Sequence, residues 1–155
     1  MHYGEVYGVW TYLYASQASV AMYQTVLNHS GDKELKELLK DAIKMCETQI
    51  KEVKTLLKKN GVGLPPTPPE RPVAKLDEIP PGAKFLDNEI AGALAADIAA
   101  ALVSCSTIIG QSLREDIAMM FAKFHSEVAL LGGKNLRLSK EKGWIVPPPL
   151  HTDQD

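Results

Sequence analysis

The segment GVGLPPTPPERPVAKLDEIPPGAKFL, residues 61–86, decides the fold of this 155-residue chain. It carries seven of the ten prolines, and proline removes a backbone donor and interrupts helices. We therefore expect an extended connection, which at about 3.1 Å per residue can span up to ~80 Å. The helices expected on either side are only ~40 Å long at 1.5 Å per residue. The connection can thus run the full length of a helix bundle.

Two helices are predicted before this connection. The first, over residues 3–28, has no proline, and its inward residues follow alternating four- and three-residue steps: Val6, Trp10, Leu13, Gln17, Val20, Gln24 and Leu27. The second, over residues 33–60, starts after a capping Asp32 and ends at Asn60-Gly61. Its predicted inward residues are Leu35, Leu39, Ala42, Cys46, Gln49, Val53 and Leu56.

Two more helices are predicted after the connection. The third, over residues 87–110, is apolar nearly all round, so we expect neighbours to cover it on several sides. The fourth, over residues 113–142, follows an S-x-x-E capping box, Ser112 to Glu115. Gly132-Gly133 allows a bend or a close contact within it. Its predicted inward residues are Ile117, Phe121, Phe124, Val128, Leu131, Asn135 and Leu138.

These elements predict an all-α fold, an antiparallel four-helix bundle in a single domain over residues 1–155. The long crossover at 61–86 leaves the second and third helices parallel, which is the ferritin-like connectivity. Residues 143–155 are expected to form an extended C-terminal tail, because they include WIVPPP.

Composition narrows the classes of partner. The net charge of −2, from 17 basic and 19 acidic residues, offers no basic excess for nucleic acid. The first residues lack the pattern of a secretory signal, and the alanine-rich stretch from Ile90 to Gly110 contains Asp97, which disfavours a membrane span. We expect an intracellular, cytoplasmic protein without nucleic-acid or membrane partners. Cys46 and Cys105, outside any CxxC pair, are expected to be buried free thiols.

A bundle of this connectivity raises the possibility of a di-metal carboxylate centre. Such a centre needs two glutamates and two Glu-x-x-His pairs on inward faces. Glu47 is followed three residues later by an isoleucine, and His125 is preceded by an alanine in the corresponding position. Gln17 and Asp97 stand where glutamates would be needed. A complete site is therefore excluded by its ligand count, and no catalytic residue, cofactor or metal is predicted.

Two interpretations of the interior polar residues remain open. Gln17, Glu47, Asp97 and His125 could line a site for a metal ion or small ligand in the bundle core. Alternatively, Gln17, Asp97 and Gln49 form a buried hydrogen-bonded layer that sets the register of the helices. In that case His125 is a packed or rim imidazole.

An aromatic stripe marks the first helix. Tyr3, Tyr7, Trp10 and Tyr14 recur at helical spacing and extend beyond the inward face. The crossover, the tail with Trp144, or a second copy of the chain could cover them. Because aromatic surfaces are enriched at interfaces, these five residues predict an interface, and the stripe predicts a homodimer.

Five short segments in order resemble a known family. They are VYGVWTYLYASQ, NHSGDKELKELLKDAI, DNEIA, LREDI and GGKNLRLSKEKGWIVPPP. Together they resemble domain of unknown function 3231 from endospore-forming bacteria, whose members carry the label "putative spore coat protein" and are similar to spore coat protein F. The resemblance implies a ferritin-like fold, a structural role in or near the spore with coat-type protein partners, and no assigned reaction. Many relatives carry two bundles in tandem, which implies self-association of this single bundle.

Overall fold

A computed structural model describes residues 1–149 and is all-helical over that part of the chain. The helices are α1 (Tyr3–His29), α2 (Lys33–Lys59), α3 (Asp87–Gln111) and α4 (Glu115–Glu141). Two short 3-10 turns, Leu76–Glu78 and Pro81–Ala83, interrupt the otherwise extended connection. The all-α prediction is confirmed, and the predicted helix ends lie within two residues of those observed. The predicted tail has neither helix nor strand over residues 144–149, and its last six residues lie outside the described part.

Hydrogen bonds at the two ends of the bundle establish the topology. At one end, a His2 ring nitrogen lies 3.2 Å from the carbonyl oxygen of Gln111, so the start of α1 meets the end of α3. At the other end, the N–H of Gly31 donates to Asp87 at 3.1 Å, so the starts of α2 and α3 lie together. Lys142, after α4, pairs there with Asp32. Helices α2 and α3 are thus parallel, and the crossover spans the bundle as predicted.

Polar side chains of α1 hold the crossover. Trp10 Nε1 donates to the Gly63 carbonyl at 3.0 Å, and Gln17 Nε2 donates to the Pro66 carbonyl at 3.1 Å. Further along, Gln24 Oε1 accepts from a crossover N–H at 2.9 Å. The three α1 residues are seven apart and share one face of the helix. They supply the hydrogen bonds that a proline-rich extended segment cannot make within itself.

The predicted inward face of α1 is wrong by one residue. The buried core side of α1 runs through Glu5, Val9, Tyr12, Ser16, Tyr23 and Val26. This series and the predicted one, Val6 to Leu27, both follow four- and three-residue steps. The crossover contacts part of the predicted face, at Trp10 and Gln17, while Val20 and Leu27 pack against the edge of the core. Of its members, Leu13 and Gln17 are fully buried, and the others are half-buried.

The inward faces of α2 and α4 are confirmed. Every residue predicted to face inward from these two helices is buried. A Cβ atom added at Gly132 of α4 would lie 3.1 Å from Ile98 Cγ2 of α3, so α3 and α4 approach closely here. On the other flank of α3, a Cβ atom at Gly8 of α1 would lie 3.0 Å from Ile108 Cγ1.

Helix α3 is covered on one side only, which corrects the expectation that neighbours surround it. Its buried residues are Ile90, Ala91, Leu94, Ile98, Cys105 and Ile108. Its outer face is open because its main neighbours, α4 and α1, contact its other side. By length and composition alone, the span Pro81–Gln111 would suffice to cross a membrane, and 22 % of its most apolar window is buried in the bundle.

The predicted capping box of α4 is not formed. Ser112 ends α3 instead, and its hydroxyl donates to the Ile108 carbonyl. The buried carboxylate of Glu5, from α1, accepts from the N–H groups of Leu113 and Arg114 at 2.9 and 3.0 Å. Burial acts to raise the pKa of Glu5, but these donors, with the N–H and ring of His2, outweigh it and hold the pKa below its ordinary value.

Candidate functional site

The four residues proposed to line a core site are not brought together. Gln17 bonds the crossover, Glu47 is exposed, and Asp97 accepts a short hydrogen bond from the hydroxyl of Tyr23. His125 is half-buried on α4. Within residues 1–149 no three His, Cys, Asp or Glu side chains cluster in a way that could hold a metal ion.

A different set of residues forms the buried polar layer. The Tyr12 hydroxyl donates to Gln49 Oε1 at 2.8 Å, and Gln49 Nε2 donates to Glu127 Oε2 at 2.8 Å. The pair of Tyr23 and Asp97 lies further along the bundle. The expected layer of Gln17, Gln49 and Asp97 is therefore wrong in its membership, because the face of α1 that enters the core carries tyrosines.

The phenols and thiols in and near this layer are held in their neutral forms. Burial raises the pKa of the Tyr12 and Tyr23 phenols well above the ordinary range. Burial, aided by the nearby Asp97 charge, raises the pKa of the Cys46 thiol to about 12. Burial likewise raises the pKa of Cys105 to about 11. Both cysteines are free and buried, as predicted, and at neutral pH neither is the thiolate that a nucleophile requires.

The space between these residues is small. A cavity of about 30 Å³ lies among Tyr12, Ser16, Tyr23, Cys46 and Asp97. That volume accommodates about one water molecule, whereas sites for small-molecule ligands measure roughly 300–1,000 Å³. The polar groups around this cavity therefore bond to one another across the core and leave no room for a substrate.

The sequence interpretation missed Tyr12, Tyr23 and Glu127. The two tyrosines do follow the four- and three-residue steps of the true core face, so periodicity alone could have located them. The adjacent face, through Trp10 and Leu13, is more apolar, so the sequence favours that face as the core side. No comparable signal identifies Glu127, since its role depends on Gln49 of another helix.

Charge is distributed unequally over the surface of the bundle. Helix α1 contains one Asp, Glu, Lys or Arg residue, and α3 contains three, of which two lie in its first turn. Helices α2 and α4 contain thirteen and eight. Because α1 and α3 are neighbours, the exposed residues of α1 and of α3 beyond its first turn form one surface without charge, which we call the uncharged side and which includes Tyr3, Tyr7, Thr11, Tyr14, Ala18, Met22, Gly92, Ala93, Ala96, Ala99, Ala100, Val103, Ser106 and Thr107.

Three of the five predicted interface residues lie on this surface. Tyr3, Tyr7 and Tyr14 are 95 %, 74 % and 53 % exposed. Trp10 is half-buried, stacks on Tyr14 with ring centroids 5.9 Å apart, and bonds the crossover. Trp144 packs against the core. The two tryptophans therefore make contacts within the chain, and the crossover, one of the three possible covers of the stripe, contacts Trp10.

Comparisons with known proteins agree with the fold and with the resemblance. A family model described as protein of unknown function (DUF3231) matches residues 1–155. The uncharacterized protein YvdQ of Bacillus subtilis (strain 168) is 57 % identical over 151 residues, which cover 97 % of this chain and 89 % of YvdQ. The resemblance to this family is confirmed.

Solved structures are similar along nearly the whole chain. A crystal structure titled as a putative spore coat protein from Bacillus halodurans C-125 is 51 % identical, with a TM-score of 0.96, and the match covers 98 % of this chain and 96 % of that one. A conserved hypothetical protein from Mycobacterium tuberculosis is 14 % identical with a TM-score of 0.74, covering 89 % and 98 %. The latter shares the fold.

Proposed function

We propose a structural role from one premise, which is that this chain belongs to the family described as protein of unknown function (DUF3231). We infer that it is a non-catalytic protein of the spore coat type, which acts by associating with other proteins. The label of the Bacillus halodurans relative supports this role. On this proposal the chain is made in the cytoplasm of a sporulating cell and becomes part of the coat.

The uncharged side carries the proposal. Exposed aromatic side chains without neighbouring charges are typical of protein–protein interfaces, where charged residues are depleted. Tyr3, Tyr7 and Tyr14 supply large contact areas with few rotatable bonds, so little entropy is lost when they become buried. The partner of this surface is a coat-type protein or a second copy of the chain.

The properties of the core support the same proposal. The polar groups of its central layer, Tyr12 with Gln49 and Glu127 and Tyr23 with Asp97, are paired across the helices. Its thiols are protonated at neutral pH, and its central cavity has room for about one water molecule. What the chain offers to other molecules therefore lies on its surface.

The experiment compares spores with growing cells of an endospore-forming host that expresses the chain from its own promoter. We expect antibodies to detect the chain in coat extracts of purified spores and to find little in growing cells. Equal amounts in both cell types, with none in spores, would refute the coat role. Elemental analysis of protein purified without chelator tests the alternative of a core metal binder, which requires a stoichiometric metal.

A matched pair of variants tests the surface itself. Changing Tyr3, Tyr7 and Tyr14 to serine is expected to reduce deposition in the coat while leaving the helical circular dichroism unchanged. The control changes Met119 and Leu130 to serine, because these α4 residues are 69 % and 71 % exposed outside the uncharged side. Equal losses of deposition in both variants would contradict a role specific to the tyrosines.

A further inference from the structure

We propose that the outer face of α3 is the centre of a twofold interface with a second copy of this chain, in which the two α3 helices pack antiparallel. This inference rests on the proposed function, because it names the partner of the uncharged side. It moves the centre of the interface from the tyrosines of α1 to the small residues of α3, which leaves the tyrosines at the flank.

The residues of this face permit a close approach between helices. Along the outer face of α3, Gly92, Ala96, Ala99 and Val103 recur at three- and four-residue steps and are exposed. Small side chains in such a row let two helix axes approach to about 8 Å, the short end of the packing range. A Cβ atom added at Gly92 would meet nothing within 4 Å, so no described residue covers the helix at this position.

The available area reaches the lower bound for a specific dimer. The uncharged side spans residues 3–22 of α1 and 92–107 of α3, or about 30 and 24 Å at 1.5 Å per residue, and each helix is about 10 Å wide. Their common outer surface is therefore about 500 Å². A specific interface buries at least about 1,000 Å² in total, which is about 500 Å² on each partner. The uncharged side reaches this area without the charged helices.

Charge identifies the partner as a second copy. A partner with charged groups at the contact would have to desolvate them against a surface that offers no counter-charge, which is costly. The partner surface must therefore be equally free of charge, and the chain itself carries such a surface. A twofold contact pairs the same patch on both copies, and the antiparallel arrangement sets the positive end of each helix dipole beside the negative end of the other.

A groove beside α3 supports the twofold contact and suggests the register in which the two α3 helices pack. The groove has a volume of about 390 Å³ and is lined by residues without charge, among them Gly92, Ala95 and Asn135. Asn135 is 3 % exposed, and its side-chain oxygen accepts no hydrogen bond among the described residues. Gly92 lies seven residues before Ala99, and the exposed Ser106 lies seven after it. With Ala99 at the twofold axis, the partner's Ser106 would bring a hydroxyl donor to the mouth of this groove.

A lipid surface fits the same face less well. Helices that lie on membranes combine bulky apolar residues with lysine and arginine at the polar boundary. Helix α3 has neither lysine nor arginine, and its outer residues are mostly glycine and alanine. Asp97 of α3 also bonds Tyr23 of α1, which ties the helix to the bundle.

The test is sedimentation equilibrium of the full chain, whose mass is 16.9 kDa. We expect the unchanged chain to sediment with twice that mass at micromolar concentration. Ala99→Lys and Ala99→Glu, measured separately, should each raise the dissociation constant at least about tenfold, because like charges meet at the axis. An equal mixture of the two variants should recover the dimer, since opposite charges then face each other.

The matched control is Ala129→Lys, an exposed alanine of α4 outside the uncharged side, which should dimerise as the unchanged chain does. The inference is overturned if the unchanged chain is monomeric, if Ala99→Lys dimerises normally, or if the mixture stays monomeric. Flotation with phosphatidylcholine and phosphatidylglycerol vesicles completes the test. Flotation that Ala99→Lys abolishes would assign the face to lipid instead. A monomer that is nonetheless deposited in spores would refute the twofold interface and leave the proposed coat role unaffected.

Discussion

The adjacent glycines of α4 provide the sharpest test of the packing that positions α3. Gly132 and Gly133 occupy the same helix, yet a Cβ atom at Gly132 would lie 3.1 Å from Ile98 Cγ2, whereas one at Gly133 would meet nothing within 4 Å. Replacing a helical glycine by alanine gains about 1 kcal/mol of helix propensity at either position. At Gly132 this gain is offset by overpacking, which costs about 1–3 kcal/mol in a well-packed core.

We therefore expect Gly133→Ala to raise the free energy of unfolding by about 1 kcal/mol, or ~2–4 °C in Tm for a chain of this size. Gly132→Ala should be less stable than Gly133→Ala by about 2 kcal/mol. Urea denaturation followed by circular dichroism measures both, at one protein concentration because dimerisation would add a concentration-dependent term. If the two variants were equally stabilised, the close approach of α3 and α4 would be refuted.

Three further predictions concern the buried polar groups. Glu5→Gln should lower the free energy of unfolding by about 1–2 kcal/mol at neutral pH, because charge-assisted hydrogen bonds become neutral ones. Since the pKa of Glu5 in the folded chain is depressed, this difference is present above the ordinary carboxyl pKa and should vanish as the pH falls through the folded pKa. Thermal melts that keep the difference in acid would contradict this prediction. Gln17→Ala removes two hydrogen bonds to the crossover, so limited proteolysis should cut residues 61–86 faster than in the unchanged chain, and equal cleavage rates would count against the role given to this side chain. Cys46 and Cys105 should resist a thiol reagent at pH 8 until the chain is denatured, because both are buried with raised pKa values, and fast labelling of the native chain would show the core to be open.

The sequence predicts best the helices whose amphipathic pattern has a single cause. In α2 and α4 the outward faces are rich in charged residues. Each helix therefore has a single apolar face, from Leu35 to Leu56 and from Ile117 to Leu138, that can be predicted as buried. The crossover was equally predictable, because its prolines exclude a helix and its length exceeds that of the bundle. The connectivity follows from those two facts.

Helix α1 was harder because two of its faces are buried. The core covers one face, through Val9 and Tyr12, and the crossover covers the next, through Trp10 and Gln17. Both have the same periodicity, and only the three-dimensional path of the crossover distinguishes them. The membership of the polar layer was wrong for the same reason, since a shift of one residue replaces Gln17 by Ser16 and Leu13 by Tyr12.

Helix α3 shows the limit of composition as a guide to burial. Alanine and glycine are apolar, so a run of them predicts a covered helix. Because their apolar area is small, however, exposing them to water costs little free energy. Their exposure on α3 became visible only when the neighbours of the helix were known. The hydrogen bonds that Glu5 accepts from the backbone just before α4 are likewise beyond the local pattern, because the carboxylate comes from the start of the chain.

The proposed role requires that this protein acts through the uncharged side formed by α1 and α3. The most direct measurement is the amount of chain in coat extracts of spores that express either Ala99→Lys or Ala129→Lys at equal cellular levels. We expect Ala129→Lys to reach the coat like the unchanged chain, while most of the Ala99→Lys protein stays out of it. Equal deposition of the two variants would contradict the claim.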